Sequence, residues 1–139
     1  MIRRLLAVIV GIAAAILMVM IIQKLGHSLY PPPADMDLND QAYMKQYVAN
    51  LPWGPLAFVI GSYVIATLVG GWLAVAIAGE KPLLYAAIVA AFVLAGAIMT
   101  VMTIPHPGWF TAAAVAGIIL ATVLAAALAS HTGTTRKAI

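Results

Sequence analysis

There is no cysteine in this chain. That excludes disulfides, iron–sulfur clusters, thiolate zinc sites and a lipid anchor carried on a cysteine. Charge is nearly as scarce: 8% of residues are charged and 65% hydrophobic, against about 25% and about 45–50% in a soluble domain. This is membrane-protein composition. The charges also avoid the centres of the long apolar runs, where no Asp, Glu, Lys, Arg or His occurs. Ion-coupled transporters and proton pumps generally carry their coupling on an embedded carboxylate or imidazole, so this absence argues against proton-coupled transport. The net charge of +3 lies beside the apolar runs and not on a soluble face, which argues against nucleic acid as a partner.

What is present is apolar sequence broken by Pro and Gly. The pattern predicts an all-α integral membrane protein in which a single domain, 1–139, holds four transmembrane helices in one bundle. The helices are expected at about 4–25, 55–78, 82–104 and 108–130. The run at 5–22 exceeds the roughly 7–15 residues of a signal-peptide core, and Ala13, Ala14 and Ala15 lie inside it and not after it, so it reads as a retained span. Gly79 to Pro82 and Pro105 to Gly108 make tight turns, with Gly as terminator and Pro as starter. Residues 131–139 read as a short, polar, frayed tail.

Between the first two spans lies an outer segment, 26–54. Pro31, Pro32 and Pro33 hold its start extended. A short helix is expected over about 40–50, with Asn39 as its N-cap and a hydrophobic staple from Leu38 to Tyr43. Tyr43, Met44, Tyr47, Val48 and Leu51 recur at helical spacing and make one amphipathic face suited to the membrane interface.

Arg3, Arg4, Lys81, Arg136 and Lys137 fall on one side of this topology, and Lys24 and Lys45 on the other. The positive-inside rule therefore puts both termini in the cytoplasm. Tyr30, Tyr43, Tyr47, Trp53 and Trp109 then form an aromatic belt at the outer boundary.

Small residues carry the strongest packing signal. Ser62, Ala66, Gly70, Ala74 and Ala78 recur every fourth position, with Gly71 beside them; Ala113, Gly117, Ala121, Ala125 and Ala129 do the same, as do Ala7, Gly11 and Ala15. Steps of four stay on one helical face. Such a strip admits a second backbone closely, and close packing is what joins helices in lipid. The strips predict tight association, within the chain or between copies. The hydroxyls of Ser62, Tyr63, Thr67, Thr100, Thr103 and Thr122 are expected to bond back to their own helices.

A sharper chemical reading uses His27 and His106, which the topology puts at the same membrane boundary, with Asp35 as a carboxylate partner. Two imidazoles and a carboxylate could bind metal or do acid–base work. The plainer reading is interfacial histidines that bond loop carbonyls.

In Gly26, His27, Tyr30 and Pro31 to Pro33, in Gly70-Gly71, and in Ile104, Pro105, His106 and Trp109, the chain resembles small bacterial inner-membrane proteins of four helices with no assigned activity. The resemblance implies the same architecture and a multi-pass place in the bacterial cytoplasmic membrane. It also implies that an acidic residue can stand near Gln23, and the amide here weakens a metal site. No cofactor is implied. The leading functional reading is a non-enzymatic membrane protein that acts through helix packing. Its partners are membrane lipid and either copies of itself or a larger membrane complex. The alternatives are an oligomeric channel or carrier for a neutral or lipid-like solute, and an outer-face metal-binding protein or enzyme using His27 and His106.

Overall fold

Proline and glycine set the ends of the helices. A computed structural model describes the backbone of residues 1–37 and 39–137, and the side chains of these up to residue 132. Among the described residues the elements are α1 (Ile2–Leu29), α2 (Gln41–Ala49), α3 (Trp53–Ala78), α4 (Pro82–Thr103) and α5 (Gly108–Lys137). All but α2 are long and apolar enough to cross a membrane. The architecture is therefore an all-α bundle of four membrane-length helices with one additional short helix.

α1 runs one turn beyond the expected stop near residue 25. Gly26 does not end it, because the missing Cβ lets that turn lie against Phe58 of α3, 3.0 Å from where a Cβ would stand. The helix stops at Tyr30, whose φ of −128° and ψ of 72° have left the helical region, which the following Pro31 disfavours. Ile104 before Pro105 ends α4 in the same manner. α3 ends at Gly79, in the left-handed region at φ 70°, with its N–H bonded to the Val75 carbonyl at 2.8 Å. Pro82 then opens α4 at a position where no N–H is needed.

Two expectations change. The N-cap of α2 is Asp40 and not Asn39: the Asp40 carboxylate accepts from the N–H groups of Ala42 and Tyr43, each at 3.0 Å. Asn39 instead gives its own N–H to the Asp37 carboxylate at 2.9 Å. The expected staple falls on Leu38, which lies outside the described residues. α5 also continues past 130 to Lys137; no proline intervenes, and the Ser130 hydroxyl bonds back to the Ala126 carbonyl at 2.8 Å.

α3 is the hub. α1, α4 and α5 all pack on it, α5 also packs on α4, and α1 leans only lightly on α4. Among the described residues no Cα of α1 comes within 8 Å of one in α5. α1 runs antiparallel to α3, with Arg3 at Ile77, Gly11 at Gly70 and Ala74, Gln23 at Ser62 and Gly26 at Phe58. The end away from α2 is tied by two arginines. Arg3 donates to the Ile77 carbonyl in the last turn of α3 at 2.6 Å, where a cation suits the helix dipole. Arg4 pairs with Glu80 at 2.5 Å; both are well exposed, and such a pair is worth only about 0.2–1 kcal/mol.

Candidate functional site

The seam between α1 and α3 is built backbone on backbone. A Cβ at Gly70 would stand 2.5 Å from the Gly11 carbonyl oxygen, 2.9 Å from the Ala15 Cβ and 3.1 Å from Val89 of α4. A Cβ at Gly11 would stand 2.8 Å from both the Gly70 carbonyl oxygen and the Ala74 Cβ. Each glycine thus faces the other's carbonyl. Ala7 and Ala15 of α1, and Ser62, Ala66 and Ala74 of α3, are all buried. One step along the helix Gly71 turns by about 100° and meets Ala125 of α5 and Ala86 of α4 instead. Gly117 packs on Val64 of α3, and Ala121 is buried.

Beside this seam lies a cleft of about 240 Å³ between α1 and α4, floored by Tyr63 of α3. Ile16, Met20 and Gln23 line it on one side, and Phe92, Gly96 and Thr100 on the other. No charged residue lines it. Four polar side chains gather at its α2-side end. The Ser62 hydroxyl donates its single hydrogen to the Val59 carbonyl at 2.7 Å, so the contact with Gln23 at 3.3 Å must be an amide N–H donated to the hydroxyl. The Tyr63 hydroxyl donates to Thr100 Oγ1 at 3.2 Å, which donates in turn to the Gly96 carbonyl at 3.0 Å. Gln23 keeps a carbonyl oxygen and a second N–H with no hydrogen-bond partner among the described residues.

The hydroxyls largely bond back to their own helices: Ser62, Thr67, Thr100, Thr103 and Thr122 each donate to a carbonyl three or four residues earlier. Tyr63 is different, because its ring carries the hydroxyl beyond its own helix to α4. The pairing of Gln23 with Ser62 is not foreseeable from local pattern. Its one signal is a lone amide in an apolar run, a residue type that bonds across membrane helices.

His27 and His106 do different things. His27, exposed at the end of α1, has Nδ1 2.8 Å from the Gln23 carbonyl. A carbonyl only accepts, so Nδ1 carries the hydrogen and, in the neutral ring, Nε2 keeps the lone pair. His106, half-buried, sets Nδ1 2.6 Å from the Ile104 carbonyl and stacks on Phe110 at 4.3 Å between centroids. Asp35 is exposed. Among the described residues no three His, Cys, Asp or Glu side chains gather closely enough to hold a metal ion.

Tyr30, Tyr43, Tyr47, Trp53 and Trp109 sit at the end of the bundle that carries α2. Tyr30 meets Phe58 edge to face at 6.0 Å, and its hydroxyl lies over Gly54. Trp53 and Trp109 are largely exposed, Tyr43 is exposed, and Tyr47 is half-buried.

No protein-family model, no curated protein and no solved structure matches the chain. Its own geometry identifies a small, all-helical, multi-pass membrane protein.

Proposed function

We propose that this is a non-enzymatic protein of the bacterial cytoplasmic membrane that works by packing against further membrane helices, as a homo-oligomer or as an accessory subunit of a larger complex. One observation carries the reading. The flank of α3 opposite α4 is uncovered between α1 and α5: Ile65 and Trp72, one heptad apart, are 42% and 37% exposed, and the neighbouring Ala57 and Ala76 are exposed too. The Trp72 indole N–H has no hydrogen-bond partner among the described residues. Trp72 lies about 10 Å from the middle of α3, inside the ~15 Å half-thickness of the hydrocarbon core. A donor at that depth favours a helix that brings a carbonyl or hydroxyl to it. The small-residue strips are engaged within the chain, so a partner would use this flank and not the Gly70 seam.

Native mass spectrometry from mild detergent tests the reading. A complex is expected, made of copies of this chain or of this chain with another membrane protein. Trp72→Ala is expected to release this chain as a monomer with its helicity unchanged. A wild-type monomer, or a complex indifferent to the substitution, would reject it.

The orientation proposed with it puts both termini in the cytoplasm. The excess of Arg and Lys at the Arg3, Arg4 and Lys81 end supports it, as do Tyr30, Tyr43, Tyr47, Trp53 and Trp109 at the other. A cysteine introduced at Trp109, whose side chain is 51% exposed, is expected to react in intact spheroplasts with a maleimide that cannot cross the inner membrane. Labelling only after lysis would reverse the assignment.

A further inference from the structure

We infer that the cleft between α1 and α4 seats one acyl chain of a membrane phospholipid from the α2-side leaflet, with the ester group of that chain at the Gln23 amide, level with Thr100. The first support is depth. The 28 residues of α1 span about 42 Å. With α1 centred in a hydrocarbon core of ~30 Å, Gln23 stands about 11 Å from the midplane, some 4 Å below the level where the core ends. Thr100 stands equally far from the middle of α4, and Ala15 and Phe92 lie near the midplane. The polar end of the cleft therefore lies just under the ester level of one leaflet, and its apolar part descends toward the bilayer centre. A phospholipid has the same polarity along the same axis.

The second support is hydrogen bonding. Gln23 has a spare N–H at a depth without water, where an unmet donor is costly. An ester supplies the acceptor for that N–H. The lining is uncharged, which suits the neutral ester and chain and leaves the headgroup outside. The third is access. Ile16, Met20 and Phe92 at the rim are 44%, 63% and 45% exposed, so a chain enters sideways from the bilayer. Nothing lies within 4 Å of a Cβ built at Gly96; the wall there is open for contact with the chain.

The inference is independent of the subunit reading and is tested on the full chain in nanodiscs of phosphatidylethanolamine and phosphatidylglycerol carrying a photoreactive diazirine in one acyl chain. Adducts on Ile16, Met20 and Phe92 are expected to exceed those on Leu120 and Leu124 of α5, which are exposed outside this cleft. Gly96→Leu fills the cleft without a clash at its Cβ and is expected to erase the excess while the unfolding midpoint holds. Gln23→Leu keeps the shape and removes the amide, and is expected to reduce the excess about threefold, the size of one hydrogen bond between membrane groups. Uniform labelling of the wild type, or an excess that survives Gly96→Leu, overturns the inference. So does recovery of a neutral molecule other than phospholipid from the cleft.

Discussion

Gly70→Leu is expected to destabilise the bundle by about 3 kcal/mol, the upper part of the usual range for overpacking. The reason lies in what surrounds the position. The first carbon of any side chain there stands 2.5 Å from a main-chain oxygen of α1 and 2.9 Å from the Ala15 Cβ. Neither can swing aside as the end of a long side chain could, so α1 as a whole must withdraw. Withdrawal removes the contact along Ala7, Gly11 and Ala15, and among the described residues α1 has only a slight contact with α4 and none with α5 to compensate. Lipid supplies no hydrophobic force to push the helices back together. Gly61→Leu, on the same helix with nothing within 4 Å of its Cβ, is expected to change stability by less than about 0.5 kcal/mol. Unfolding in mixed micelles of increasing dodecyl sulfate, followed by circular dichroism, measures both. Equal midpoints for the two variants would mean that the seam does not depend on close backbone approach.

The second large effect is expected at Phe110, the largest side chain with no exposed surface. It stands in the first turn of α5, its N–H bonded to the Pro107 carbonyl at 3.0 Å, its ring stacked on His106 and met edge-on by Trp109. In a water-soluble core Phe→Ala costs about 3–5 kcal/mol, a sum of lost transfer energy and a cavity. In a membrane the transfer part shrinks, because the unfolded alternative is also apolar. What remains is lost packing and the void, so Phe110→Ala is expected to cost about 2 kcal/mol. Trp109→Ala, a larger truncation at an exposed neighbour, is expected to cost less than about 0.5 kcal/mol. The same unfolding assay ranks the two. A ranking in the opposite order would show that burial does not govern this end of the bundle.

Composition and punctuation were enough to determine the number of spans, their order and most of their limits. The features responsible are local: an apolar run long enough for the bilayer, a proline that cannot accept the preceding helix, a glycine that can turn left-handed. Local features also misplace details. Asp40 and Asn39 are both good caps, and only the path of the loop decides that Asp40 bends its carboxylate onto α2. Gly26 looks like a terminator until Phe58 is seen against it.

Partner choice is different in kind. Gly70 and Gly71 are indistinguishable as letters, yet about 100° of helix rotation sends one to α1 and the other to α4 and α5. Gln23 and Ser62 are 39 residues apart in the chain, and nothing in either segment indicates the other. A membrane bundle with strips made for close contact is legible in the residue pattern alone. Which strips meet, that among the described residues α1 stands clear of α5, and that a polar-ended cleft remains beside the seam come from the packed arrangement of the helices. The reason is that periodicity specifies the face a residue occupies on its own helix, whereas contact depends on where the other helices stand.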